Sequence, residues 1–147
     1  MRKLPLLYGH AGILPVAACT GVLIISEHTG QAYIPKPDIF LVLSIYTSLI
    51  LSFLTATHWL PGIKRNCALR VSYSMTGALT GLLVNAVLIV DAFSSLFLLI
   101  PLHFVIAYFM DRALLTENDI PDGYLTFRSR LTLIICTMLI ISYVYVI

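Results

Sequence analysis

The chain has 147 residues, of which 59% are hydrophobic and 11% are charged, and its formal net charge is +2. Soluble domains are about half apolar and about a quarter charged, so this chain has too few polar groups to cover a surface in water. The composition therefore excludes a soluble domain and indicates an integral membrane protein. The small net charge gives no indication of nucleic-acid binding.

Five apolar segments follow one another along the chain, each close to the ~20 residues that a helix needs to cross the hydrocarbon layer. Alternation of apolar and polar residues is absent, and lipid requires internal pairing of backbone groups, so strands are disfavoured. We predict an all-α fold in which residues 1–147 form a single domain, an integral membrane bundle of five transmembrane helices. The predicted spans are residues 4–25, 39–60, 69–90, 92–110 and 131–147.

The basic residues predict the orientation of this bundle. With five crossings, Lys36 is alone on one side, and eight of the nine basic residues lie on the other side: Arg2, Lys3, Lys64, Arg65, Arg70, Arg112, Arg128 and Arg130. The positive-inside rule then places the N-terminus in the cytoplasm or the mitochondrial matrix and the C-terminus on the opposite side. The predicted location is a bacterial or mitochondrial inner membrane.

The first segment, MRKLPLLYGHAGILPVAAC, also has features of a secretion signal, with a basic start and a small-residue box that ends at Cys19. A histidine and two prolines interrupt its apolar stretch, which favours an uncleaved first span over a signal. Cys19, Cys67 and Cys136 show neither CxxC spacing nor a plausible pairing. We therefore predict no metal site and no disulfide framework.

The second segment ends in ILSFLTATHWLPG, which places a histidine beside the only tryptophan of the chain. An indole at a membrane boundary is common, because its ring lies among headgroups while its N–H reaches water. The predicted topology brings polar residues from three helix ends to this same boundary. We interpret them as one lipid- or partner-binding cluster at the cytoplasmic face, formed by His58, Trp59, Asp111, Arg112, Arg128 and Arg130.

Within this cluster, Asp111 is expected to pair with an arginine of the fifth span. The other arginines would then bind an anionic phospholipid headgroup or a carboxylate of a partner protein. The alternative interpretation is that each side chain reaches water independently.

Several motifs resemble those of one family. LYGHAGILP at residues 7–15 is similar to its opening Y-x-G-x-x-G-x-x-P, and ILSFLTATHW at residues 50–59 is similar to its I-L-S-F-L-G-G-x-H-W segment. The DR at Asp111 and Arg112, and GYLTFRSRLTL at residues 123–133, resemble its later segments. The family is domain of unknown function 3429, which includes the mitochondrial transmembrane protein 69. The resemblance implies a five-span inner-membrane protein and no known activity.

This chain departs from the family pattern at two places. Thr55 and Ala56 stand where the family often has two glycines, and Gly123 stands where tryptophan is usual. If those glycines allow close approach of a helix or a ligand, the contact is altered in this chain.

Small residues recur along one face of the second and third spans. Such stripes let helix backbones approach closely in lipid, where burial of apolar surface does not drive helices together. We predict intramolecular packing of these two spans, with Asn85 hydrogen-bonded across the seam; a pocket or a dimer contact is the alternative. The residues are Ser44, Ser48, Ser52, Ala56, Gly77, Gly81 and Asn85.

His103 lies in the middle of the fourth span, two residues after Pro101. The favoured interpretation is a neutral histidine that donates to a backbone carbonyl freed by the proline. A second is a proton or solute pathway from His103 toward His58, since ionisable groups inside a membrane often mark such routes. A third, weaker one is haem ligation by His103 and His10. No cofactor is predicted.

Catalytic motifs are missing from the sequence, and no pair of carboxylates lies within the membrane, so an enzyme is not favoured. The main prediction is a non-catalytic accessory or structural subunit of a larger membrane complex, possible partners including respiratory or other bioenergetic assemblies. The alternatives are a small transporter or proton pathway that uses His103 and His58, and a haem- or quinone-binding redox protein.

Overall fold

The computed structural model describes residues 12–30, 34–90, 94–115, 120 and 122–146. All regular secondary structure in these residues is helical, which confirms the predicted all-α class. Within the described ranges, a 3-10 helix, Ser94–Leu98, precedes the sixth of seven α-helices. These are α1 (Leu14–Thr29), α2 (Lys36–Ala56), α3 (Trp59–Lys64), α4 (Ala68–Ser74), α5 (Thr76–Ile89), α6 (Leu99–Leu114) and α7 (Tyr124–Val146).

Among the described residues, four helical segments are long and apolar enough to cross a membrane: Lys36–Lys64, Ala68–Ile89, Ser95–Leu114 and Tyr124–Val146. The chain is therefore a multi-pass helical membrane protein. Helix α1 is apolar but shorter, and the first part of the predicted first span, which includes His10, lies outside the described residues. The fifth crossing and the side on which each terminus lies remain predictions.

Helix α2 lies at the centre of the bundle. It packs most extensively against α5 and also contacts α1, α6 and α7. The rings of Phe40 and Phe97 are 4.2 Å apart, and Phe97 and Phe104 are fully buried. Large apolar side chains such as Phe53 and Leu82 are exposed on the outer surface, as expected for a protein whose solvent is lipid.

The contact between α2 and α5 depends on two glycines. A Cβ atom on Gly77 would lie 2.5 Å from Thr55 Oγ1 and 2.7 Å from the Leu51 carbonyl oxygen, and one on Gly81 would lie 2.7 Å from Ser48 Cβ. Asn85 Nδ2 donates to Ser48 Oγ across the seam at 3.1 Å. The two backbones therefore approach at a distance that no larger residue permits.

The predicted stripe on α2 does not follow this contact along its whole length. Ser44 and Ser48 are buried, whereas Ala56 is exposed and Thr55 is the residue that faces Gly77. A spacing of four residues advances by about 40° more than a full helical turn, so a stripe with this spacing drifts away from a straight contact. On the outer side, the seam opens into a groove of 340 Å³ lined in part by Ser52 and Ala78.

Two helices near one end of the bundle extend further than the hydropathy predicted. Helix α6 continues past Asp111 to Leu114, and α7 begins at Tyr124, where the predicted start was residue 131. Charged residues had marked these boundaries in the prediction. In the structure Asp111 and Arg128 are buried inside helices, because each neutralises the other.

The two ends of the bundle differ in charge. The end that carries Lys64, Arg112 and Arg130 is called the basic end. At the opposite end, Lys36 pairs with Glu27 and also donates to the Tyr145 carbonyl at 3.3 Å. The hydrogen bond from Lys36, together with its positive charge, lowers the pKa of the Glu27 carboxyl.

Candidate functional site

A buried group of ionisable side chains lies near the basic end. Asp111 Oδ1 is 2.7 Å from His58 Nε2, and Asp111 Oδ2 accepts from Arg128 Nε at 2.9 Å. Tyr124 also donates its hydroxyl to Asp111 Oδ2, at 3.3 Å. These contacts connect the end of α2, α6 and α7. We call His58, Asp111 and Arg128 the ionic junction.

A break in the helix positions His58. Pro61 has no N–H, so the Thr57 carbonyl lacks the helical partner it would have four residues later. Helix α2 accordingly ends at Ala56 and α3 begins at Trp59, with His58 in the turn between them. The turn directs the His58 ring into the bundle, where the side chain is fully buried.

The charges of the ionic junction are balanced inside the protein. The side chains of Asp111 and Arg128 are 1% and 3% exposed. Removing two ions from water is costly, and the cost is offset only when the ions pair and their hydrogen-bonding groups are satisfied. Arg128 Nη1 adds one further bond, to Thr132 Oγ1 at 3.4 Å. The pair thus stabilises the bundle only while both partners are present.

The structure brings three residues of the predicted six-residue cluster together and leaves three apart. Asp111 does pair with an arginine of the last helix, and that arginine is Arg128. Arg112 and Arg130 are exposed, and Trp59 is 41% exposed. Within the described residues, none of these three side chains forms a hydrogen bond or an ion pair with the junction. Binding of lipid or of a partner protein by the cluster stays a prediction.

Tyr73 on α4 extends the buried polar group into the bundle. Its ring meets the His58 ring edge-on, with centroids 5.1 Å apart, and its centroid is 6.3 Å from that of His103. Sequence reasoning singled out neither Tyr73 nor Tyr124. Tyr124 could have been found, because it precedes Arg128 by four residues and so shares its helix face. Tyr73 could not have been found in this way, because a tyrosine inside an apolar segment does not by itself indicate a site.

His103 is tied to α5 through two hydroxyls. Its Nε2 is 3.1 Å from Thr76 Oγ1 and its Nδ1 is 2.8 Å from Thr80 Oγ1. Thr76 also donates its only hydroxyl hydrogen to the Tyr73 carbonyl at 2.8 Å. The Thr76 oxygen must therefore accept from Nε2–H of His103, while Thr80 donates to Nδ1. This arrangement satisfies a neutral ring and sets its tautomer.

The partners of His103 differ from the carbonyl that the sequence led us to expect. The ring contacts two threonine hydroxyls, and the hydroxyl of Thr76 stands between the ring and the Tyr73 carbonyl. Ligation of haem iron by His103 would require one of its two hydroxyl contacts to break. The suggested second ligand, His10, lies outside the described residues. In the part of the chain that the structure describes, no group of three or more metal-ligating side chains forms.

Apolar helices long enough to cross a membrane, closed near one end by a buried ionic junction, define a multi-pass helical membrane protein. The chain belongs to the family described as protein of unknown function (DUF3429), whose model matches residues 1–144. The match confirms the resemblance carried by the sequence motifs. No curated protein and no solved structure is significantly similar to the chain. The family description assigns no activity.

Proposed function

We propose that the protein is a non-catalytic accessory subunit of a larger inner-membrane assembly and that its basic end attaches it there. One observation carries this proposal: the arginines near the basic end divide into an inward and an outward set. Arg128 is buried and neutralises Asp111, whereas Arg112 and Arg130 are exposed.

Helix geometry accounts for the division. Successive residues on a helix point about 100° apart, so Arg112 points away from the direction of Asp111, and Arg130 lies almost opposite Arg128. Because Asp111 is already bound by His58 and Arg128, it does not compete for the exposed guanidinium groups. Within the described part of the chain, these groups are therefore available to an acidic group outside the bundle.

The chemistry of this surface favours an anionic group near the membrane boundary. Guanidinium groups bind carboxylate and phosphate through paired hydrogen bonds. The partly exposed ring of Trp59 lies near the same end and suits the headgroup region. A carboxylate of a neighbouring subunit and the phosphate of an anionic lipid share this chemistry. Because the resemblance extends to a mitochondrial protein, a respiratory or other bioenergetic complex is the assembly to look for first.

Purification from native membranes in mild detergent, followed by mass spectrometry of the co-migrating proteins and lipids, tests the proposal. The double variant Arg112→Ala and Arg130→Ala should lose the retained partner, and Lys36→Ala at the opposite end should keep it. Loss of a protein would identify a subunit contact, and loss of phospholipid alone would identify a lipid site. Equal retention by the double variant and by Lys36→Ala would contradict attachment through the basic end.

A second candidate function, a proton pathway, is favoured by the position of Tyr73. The rings of His58, Tyr73 and His103 form a buried row from the ionic junction toward the middle of the bundle. Chains of protonatable side chains at membrane depth mark proton routes in pumps and transporters. Tyr73 is the residue that would connect His58 and His103, the two histidines that the sequence suggested for such a pathway.

Proton flux into vesicles that contain the purified protein and a pH-sensitive dye tests this second function. A membrane potential should drive flux above that of protein-free vesicles, and Tyr73→Phe should lower it. Tyr46→Phe is the matched control, because it removes a phenol hydroxyl that donates to the Gly12 carbonyl instead. Flux no greater than in protein-free vesicles would rule the pathway out.

A further inference from the structure

Three buried polar atoms around the ionic junction are without a hydrogen-bond partner among the described residues. They are His58 Nδ1, Tyr73 Oη and Arg128 Nη2. Their side chains are almost completely buried, at 0%, 6% and 2% exposure for the residues. Native interiors satisfy most buried polar groups, so several unsatisfied atoms around one contact point to a site with a further role.

The hydrogen-bond pattern indicates which atom can change its state. His58 Nε2 donates its hydrogen to the carboxylate of Asp111, since a carboxylate only accepts. In the neutral ring Nδ1 is then a bare, basic nitrogen inside the bundle. The guanidinium of Arg128 stays protonated in proteins, so Nη2 can only donate.

The charges that face His58 set the effect of one added proton. Asp111 on α6 is negative, Arg128 on α7 is positive, and Tyr124 on α7 and Tyr73 on α4 are neutral phenols. Arg70 on α4, a further cation, is buried beside Gly62 of α3. With a neutral His58 ring, the ionic junction has no net charge. A proton on Nδ1 gives it a charge of +1, and two cations then share one carboxylate.

We infer that His58 is a proton-binding site and that its protonation loosens the pair between Arg128 and Asp111. One proton from the solution adds to the Nδ1 lone pair, and no covalent bond breaks. The imidazolium strengthens its own hydrogen bond to Asp111 and repels the nearby guanidinium. Because Arg128 belongs to α7 and Asp111 to α6, the contact that weakens is one that holds α7 against α6. The proton need not cross the membrane, and no docked partner is required.

The other described histidines do not share this arrangement. Both ring nitrogens of His103 contact threonine hydroxyls, so its ring has no bare nitrogen. His28 is exposed near the opposite end, where its Nδ1 contacts the Ile24 carbonyl. His58 is therefore the described histidine at which a proton changes the charge of a buried ion pair.

Nuclear magnetic resonance of the full chain with ¹⁵N-labelled histidine and arginine, in lipid nanodiscs, tests this directly. The resonances of His58 are assigned by their loss in His58→Gln and, should that variant fail to fold, by their contact with the Tyr73 ring. When the pH of the sample is lowered from about 8 to about 5, Nδ1 of His58 should gain a hydrogen while Nε2–H persists. His28 serves as the exposed reference in the same sample.

Exchange of the Arg128 Nε–H with water reports whether protonation of His58 loosens the pair between Arg128 and Asp111. Its rate, divided by that of exposed Arg130, should rise by about tenfold over the same pH interval, which corresponds to about 1.4 kcal/mol of local opening free energy. A His58 ring that keeps one protonation state throughout this pH interval would overturn proton binding. Titration of His58 with an unchanged exchange ratio would overturn the coupling to Arg128.

Discussion

His58 and Asp111 are 53 residues apart in the chain, yet a hydrogen bond of 2.7 Å joins their side chains inside the protein. The bond links the end of α2 to α6, and Arg128 extends the link to α7. Contacts between distant segments of this kind specify which helix ends meet. The ionic junction is therefore expected to contribute strongly to stability and to the shape of the basic end.

Removal of the Asp111 charge should destabilise the bundle. Asp111→Asn leaves the buried Arg128 guanidinium without a counter-ion, a change that typically costs about 3–5 kcal/mol. Unfolding by denaturant in mild detergent measures the loss. Asp122→Asn is the control, because Asp122 is exposed and its change should stay within about 0.5 kcal/mol. Equal stability of the two variants would show that the ion pair does not hold the helices together.

The α2–α5 seam should be sensitive to a single methyl group. Gly77→Ala would place Cβ 2.7 Å from the Leu51 carbonyl oxygen, which belongs to the helix backbone and cannot move aside alone. The expected loss is about 1–3 kcal/mol, as for other overpacked sites. Gly21→Ala meets nothing within 4 Å and should be neutral or stabilising by up to about 1 kcal/mol. The same unfolding assay compares the two variants. Similar free energies of unfolding would mean that α2 and α5 can move apart enough to accept the methyl group.

His103 should stabilise the bundle through its hydrogen bonds with Thr76 and Thr80. His103→Leu leaves the half-buried Thr80 hydroxyl without the ring nitrogen that accepts from it, at a cost of about 1–3 kcal/mol. His28→Leu, at an exposed site, should change stability little. If His103→Leu abolished proton flux and left stability unchanged, the packing role would be wrong and the pathway would be favoured.

The orientation of the bundle can be tested with reporter fusions. A reporter that is active only in the cytoplasm should work after Met1 and within residues 113–126, and it should fail after Ile147, because the predicted orientation places most basic residues in the cytoplasm. Activity of the fusion at Ile147 would mean that the number of crossings is not five.

Hydropathy alone located the apolar helices, because lipid requires each crossing to be long, apolar and internally hydrogen-bonded. The helix ends were harder to predict. Arg128 looked like a loop residue from the sequence, since its partner Asp111 is 17 residues away on another helix. The start of α7 at Tyr124 depends on tertiary contacts that periodicity does not report, whereas the break at His58 follows locally from Pro61.

The candidate site could be predicted only in part. Depth and charge placed His58, Asp111 and Arg128 at one boundary, but they could not distinguish inward from outward arginines. That distinction depends on helix rotation, which determines that Arg128 is buried and Arg130 exposed. The role of Tyr73 depends on the packing of α4 against the junction, which no local pattern encodes.

Photo-cross-linking in intact native membranes tests attachment through the basic end most directly. A photoreactive amino acid at exposed position Ala113 lies beside Arg112 and leaves both exposed arginines in place. A second probe at Leu49, which is 56% exposed on α2, samples the lipid-facing surface. The proposal predicts a discrete adduct from position 113 that disappears with Arg112→Ala and Arg130→Ala, and none of that mass from position 49. The same adducts from both positions, or an adduct that survives loss of both arginines, would contradict it.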